Sequence, residues 1–167
     1  MTTYLLDANV FIEGSKRYYG FDICPAFWDW LDAAHQSGTV FSIEKVSDEL
    51  VGRGDDLTTW AQQRDAMFLK PDDNVVVSLR VVSAWAAQSV ASGRYKEAAM
   101  RAFLQEADYY LVAHAHAQGH VVVTHEIPGT SAREIKIPDA CIGVGIKCMS
   151  PFDMLRIERA RFPLATA

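Results

Sequence analysis

The sequence predicts an α/β fold, a single domain over residues 1–167 in which a central parallel sheet is flanked by helices. Three observations predict it. Short apolar runs, Tyr4-Leu5-Leu6, Thr39-Val40-Phe41-Ser42-Ile43 and Val121-Val122-Val123-Thr124, have the length of buried strands rather than of helices. Segments of helical periodicity separate them, and strand–helix alternation is what parallel pairing requires. A chain of 167 residues with 50% hydrophobic content is long enough for one substantial core.

Residues 3–7 read as a buried strand ending in Asp7. Residues 25–36 read as a helix, because Pro25 lacks only an N–H that the first turn leaves unpaired, and Phe27, Trp28, Leu31 and Ala34 fall on one side. Residues 39–43 make the second strand, with Ser47 as the N-cap of a short helix carrying Glu49. The polar stretch Gly52-Arg53-Gly54-Asp55-Asp56 breaks the chain, and helices are expected near 57–68, 76–91 and 95–104. An alanine-rich helix over 107–117 leads into strand 121–124. A loop from Glu126 to Glu134 holds Pro128 and Gly129, a small helix starts near Pro138, a short strand covers 146–149, and Pro151 opens the last helix. There are no repeats, low-complexity tracts or linkers.

Asp7 stands at the C-terminal tip of the first strand, where open α/β sheets bind their ligands. A lone aspartate there is commonly a turn or cap residue. Glu49, Asp108 and Glu126 recur at comparable junctions, and four converging carboxylates would make a hard-cation site, since Mg²⁺ and Mn²⁺ prefer oxygen ligands.

The run Leu5-Leu6-Asp7-Ala8-Asn9-Val10, then Val46-Ser47-Asp48-Glu49-Leu50, then Ala107-Asp108-Tyr109-Tyr110-Leu111-Val112-Ala113-His114-Ala115, and a late Val122-Val123-Thr124 strand, resembles the ordered motifs of PIN domains. More narrowly, Tyr18-Tyr19-Gly20-Phe21-Asp22-Ile23-Cys24-Pro25, Phe27-Trp28-Asp29-Trp30-Leu31, Thr124-His125-Glu126 and Ile135-Lys136-Ile137-Pro138-Asp139-Ala140-Cys141 are similar to a PIN-like subfamily. The resemblance implies a three-layer Rossmann-like PIN-like fold and a ribonuclease that uses Mg²⁺ or Mn²⁺. Many such proteins are toxins of type II toxin–antitoxin pairs. RNA is then the substrate, and a small antitoxin protein and a second copy of the chain are implied partners.

By that resemblance Asp7, Glu49 and Asp108 are catalytic metal ligands. The fourth motif departs from the common pattern: Thr124-His125-Glu126 stands where Thr, a small polar residue and Asp are usual, and Asp139 follows behind Pro138. Both Glu126 and Asp139 are therefore candidates for the fourth ligand, Glu126 by its longer reach and Asp139 by its place at a helix start, where the dipole favours an anion. Asn9 and Thr124 are the residues expected to hold ligands in place. A divalent ion would lower the pKa of a bound water, orient it toward the phosphate and stabilise the leaving oxygen.

Lys16, Arg17, Tyr18 and Tyr19 follow the metal-bearing strand closely, and cations beside aromatics there suit gripping a single-stranded RNA backbone and stacking a base. The net charge of −5 speaks against strong non-specific RNA binding, although four of those five excess charges match the proposed site carboxylates. Phe27, Trp28, Trp30 and Leu31 read as core or dimer interface. His114 and His116 are two apart on a helix and make no zinc pair, His125-Glu126 lacks the second histidine of a metalloprotease helix, and Gly143-Val144-Gly145 lacks a third glycine. Thr130 and Ser131 lie in no nucleophile elbow.

Cys24, Cys141 and Cys148 form no CxxC pair and suit a reducing cytoplasm. No basic n-region precedes the first apolar stretch, so no signal peptide is expected, and no run is long enough to span a membrane. Two other classes stay open beside the nuclease. One is a catalytically inactive PIN-like module binding RNA or protein; the other is a phosphatase with Asp7 as phosphoryl acceptor, weakened because Asn9 stands where such enzymes carry a second Asp.

Overall fold

Tyr4, Leu5 and Leu6 are all buried, the pattern of a strand covered on both faces. They form β1 (Tyr4–Leu6), the middle strand of a five-stranded sheet in a computed structural model that describes residues 1–164. After β1 come α1 (Ala8–Glu13), α2 (Pro25–Gln36), β2 (Val40–Ile43), α3 (Glu44–Val51), α4 (Asp56–Gln62), β3 (Phe68–Leu69), α5 (Asp73–Ala91) and α6 (Glu97–Phe103). The chain continues through α7 (Ala107–Gln118), β4 (Val121–Val123), α8 (Ile137–Val144), β5 (Cys148–Met149) and α9 (Pro151–Ile157). Every strand pair is parallel, in the order β3-β2-β1-β4-β5, with Tyr4 opposite Val40 on one side and Leu6 opposite Val123 on the other.

That order fixes where a site can form. The chain leaves β1 toward β2 on one side and returns to pair its other edge with β4. Connections diverge on either side of β1, and the C-terminal end of such a strand is where open α/β sheets place their ligands. Asp7 stands there. α7 packs on both β2 and β4 and against α3, α5 and α8; because it runs antiparallel to the strand it feeds, its first turn reaches the same edge.

The structure corrects three local expectations. Ser47 caps nothing: α3 starts directly off β2 at Glu44, which puts Ser47 inside the helix and Glu49 in its second turn. The expected helix 57–68 ends at Gln62 and gives way to a 3₁₀ turn (Asp65–Met67) and the edge strand β3, whose two residues are too few to show a period. Its start is set by Asp55 and Thr58 in a capping box, the carboxylate accepting the Thr58 N–H at 3.1 Å. Finally, Lys16, Arg17 and Tyr18, read from sequence as part of a loop overhanging the site, lie in a π-helical turn (Gly14–Tyr18) that extends α1.

The aromatic block is core. Phe27, Trp28 and Leu31 are buried, Trp28 stacks on Phe21 at 4.1 Å, and its indole N–H donates to the Tyr19 carbonyl at 2.7 Å. This anchors the segment that follows the π turn. No helix among the described residues is long and apolar enough to cross a membrane.

Candidate functional site

Asp7 is only 5% exposed, and its Oδ2 accepts the Thr124 hydroxyl at 2.8 Å. Thr124 Oγ1 in turn accepts the Asn9 side-chain amide at 3.2 Å and the Glu126 N–H at 3.1 Å, while Asn9 Oδ1 accepts the His125 N–H at 3.1 Å. Asn9 and Thr124, expected from sequence to hold ligands in place, thus knit the ends of β1 and β4 around Asp7. Burial pushes the Asp7 carboxyl up to about 7; the Thr124 hydrogen bond opposes the shift, and the charges of Glu126 and Glu49 add to it.

Asp108 sits in the first turn of α7 and is pushed further, to about 8, by burial and then by the charges of Asp7, Glu126, Glu106 and Glu49. The two carboxyls titrate as a coupled pair, each charge opposing ionisation of the other. Glu49 lies on the exposed side of α3, where desolvation and Glu106 raise its pKa. Among the described residues none of these carboxylates, nor Glu126, takes part in an ion pair. Asp7, Glu49, Asp108 and Glu126 therefore share one electrostatic neighbourhood. Among the described residues no three His, Cys, Asp or Glu side chains are gathered at metal-ligand spacing. The donors are hard oxygens, Asp7 buried and Asp108 and Glu126 half-buried, and their mutual repulsion is of the kind a hard divalent cation relieves.

The two candidates for the fourth ligand are engaged differently. Asp139 is buried, its Oδ1 accepting from Arg94 at 3.3 Å and its Oδ2 from the Gly129 N–H at 2.8 Å, so both oxygens tie down the loop between β4 and α8. Glu126 accepts the Ile137 N–H at the start of α8 at 2.7 Å, and its charge reaches Asp7 and Asp108. Of the two, Glu126 belongs to the Asp7–Asp108 neighbourhood.

Sequence reasoning missed two participants. Glu106, immediately before α7, adds negative charge against Asp108 and Glu49. The Lys136 ammonium donates to Glu134 at 2.7 Å and is raised first by that bond, with the charges of Glu126 and Asp108 adding to it. A lysine directly before the Pro138 helix start was the available signal.

Lys16, Arg17 and Tyr18 are exposed on the π turn, with Arg17 paired to Glu13 at 3.1 Å. Tyr19 is half-buried and stacks on Phe27 at 4.2 Å, closer to a core residue than to an open contact. His125 is lowered by burial. His114 is buried and held down to about 4, and His116 shares a hydrogen bond with Ser78 at 2.9 Å, so the two helix histidines are structural.

The chain matches the family described as Domain of unknown function (DUF4411) over residues 4–162. No curated protein and no solved structure matches it.

Proposed function

The chain belongs to the DUF4411 family, and we propose that it is a PIN-like, Mg²⁺- or Mn²⁺-dependent endoribonuclease that hydrolyses RNA phosphodiester bonds. The observation that carries this reading is the Asp7–Asp108 pair: two carboxyls pushed to about 7 and about 8 at the switch point of a parallel sheet, with no cation paired to either among the described residues. Carboxyls that repel one another in a buried crevice have much to gain from a bound cation.

Asp7 and Asp108 would hold the ion, and Glu126 would swing from the Ile137 N–H to join them, with Glu49 at the rim. When bound, Mg²⁺ or Mn²⁺ supplies an ionised water and neutralises charge on the phosphate. A carboxylate of this cluster would accept the proton of the attacking water. Thr124 and Asn9 keep Asp7 oriented, and Lys136 draws the phosphate toward the carboxylates. The free Cys24, Cys141 and Cys148 suit work in the cytoplasm, where the resemblance to PIN toxins makes a small antitoxin and a second copy the partners to look for.

A second reading, a catalytically inactive PIN-like module that binds RNA or protein, is favoured by the Glu126 carboxylate already accepting the Ile137 N–H. The deciding experiment is incubation of purified protein with single-stranded RNA in Mg²⁺, Mn²⁺ or EDTA. The nuclease reading expects metal-dependent cleavage that Asp7→Asn abolishes. Equal, metal-insensitive cleavage by both proteins would mark a contaminant and leave the binding module standing.

A further inference from the structure

Tyr18 stacks on His125 with ring centroids 5.3 Å apart and meets Phe152 edge-on at 5.2 Å, while His125 and Phe152 stand 5.5 Å apart. The three rings form one aromatic surface, open to solvent at Tyr18, which is 46% exposed. This surface starts where the carboxylate site ends, because the His125 N–H donates to Asn9, and Asn9 donates to the threonine that holds Asp7. Beyond Phe152 it runs into an open cleft of about 440 Å³, walled by Tyr19 and Phe162 and flanked by Arg156, Arg159 and Arg161. Among the described residues Arg159 and Arg161 make no ion pair, and Arg156 meets only the exposed Asp153 at 3.7 Å. Glu158, the acid between them, accepts the Tyr4 hydroxyl at 2.7 Å. A chain of net charge −5 thus gathers three cations at one cleft.

The backbone of Arg159 is a second, independent sign. With φ of 53° it is the non-glycine residue that occupies the left-handed region among the described residues. It follows α9 in a closing pattern in which the Arg159 N–H donates to the Arg156 carbonyl at 3.1 Å and the Ala160 N–H to the Leu155 carbonyl at 2.9 Å. Glycine is the usual residue at that position, since it adopts this conformation without a Cβ penalty. An arginine there is locally unfavourable, and a strained position of this kind points toward function.

We propose that this surface seats single-stranded RNA on one side of the scissile phosphate, with bases stacking on Tyr18, His125 and Phe152 and backbone phosphates held by Arg156, Arg159 and Arg161. Stacking platforms joined to cationic clefts are how single strands are gripped without base-specific contacts. The proposal rests on the endoribonuclease reading for the position of the strand, and not for binding itself.

The test uses the 167-residue chain carrying Asp7→Asn, so that RNA is bound without being cut, and a fluorescein-labelled oligouridylate followed by anisotropy across a salt series. Arg159→Gly in that background should weaken binding about tenfold and flatten the slope of log affinity against log salt by about 0.7 for each phosphate that is no longer neutralised, while leaving the melting temperature equal or higher. A structural arginine would show the opposite. Tyr18→Ala should weaken binding without changing the salt slope. Unchanged affinity and slope in Arg159→Gly combined with Arg161→Ala, or no RNA binding by the parent protein, overturns the proposal. Arginine-dependent binding by Asp7→Asn together with no RNA cleavage by the protein with intact Asp7 in either metal removes the nuclease reading and keeps the platform; cleavage by that protein with arginine-independent binding does the reverse.

Discussion

Thr124 and Asp7 join the two strands that border the crevice: the hydroxyl at the end of β4 donates to the carboxylate at the end of β1 across 2.8 Å, while accepting from Asn9 and from the Glu126 N–H. One oxygen thus serves three partners in a buried setting, where each group left unpaired costs about 1–3 kcal/mol.

Thr124→Val keeps the shape and removes that oxygen. The Asn9 amide, the Glu126 N–H and Asp7 Oδ2 all lose a partner, so stability should fall by roughly 1–3 kcal/mol, and Mg²⁺ affinity by about 10- to 100-fold. Chemical denaturation and calorimetric metal titration check the two effects separately. A variant with unchanged metal affinity would mean that Asp7 needs no orientation by Thr124.

The apo protein should lose stability as pH rises from 6.5 to 8. Asp7 and Asp108 are raised from 3.8 to about 7 and about 8, so in this range the folded chain holds protons that the unfolded chain has released. Their stabilising contribution is complete below about pH 4 and is lost as pH climbs through the folded values. His114, lowered to about 4, and His120 and His125, also lowered by burial, act in the opposite direction as pH climbs toward the unfolded histidine value of 6.5, which is why the carboxylate signal is read above that point. The expected loss is roughly 2 kcal/mol, smaller in Asp7→Asn and reversed by Mg²⁺. Thermal melts in EDTA at the two pH values measure it, and a rise in stability over this interval would contradict the burial of both carboxyls.

Glu126→Gln should weaken Mg²⁺ binding more than Asp139→Asn does, because Glu126 and not Asp139 acts electrostatically on Asp7 and Asp108. Asp139→Asn should instead cost about 1–3 kcal/mol of stability, since it weakens the ties to Arg94 and the Gly129 N–H. Calorimetric titration and melting of both variants give the order. Equal, unaltered metal affinity would restrict the ligand set to Asp7, Glu49 and Asp108.

Gly143→Ala should destabilise the protein without touching the site. A Cβ at this position of α8 would run into the Trp85 indole ring, so the α5–α8 packing must open or the ring must move. Overpacking of this kind costs about 1–3 kcal/mol. A denaturation midpoint equal to that of the parent would show that Trp85 swings aside freely.

The fold was largely legible because its signals are local. The apolar runs at Tyr4-Leu5-Leu6 and Val121-Val122-Val123, Pro25 at the first turn of α2, and Pro151 at that of α9 each act within a few residues of themselves, and all formed as expected. Asp7, Asn9 and Thr124 were likewise legible, since strand ends fix where the sheet edge lies. What tertiary structure alone decided is which distant groups meet. Asp139 and Glu126 were both acidic candidates in the segment after β4, and they separate because Arg94, from beyond α5, claims one while the charge of the other acts on Asp7 and Asp108. The two-residue β3 and the π turn carry no period to read, and the neighbours of Arg159, Tyr18 and His125 lie far along the chain. Local sequence sets backbone preference over a few residues, whereas charge and ring stacking act through space between segments that only the folded sheet brings together.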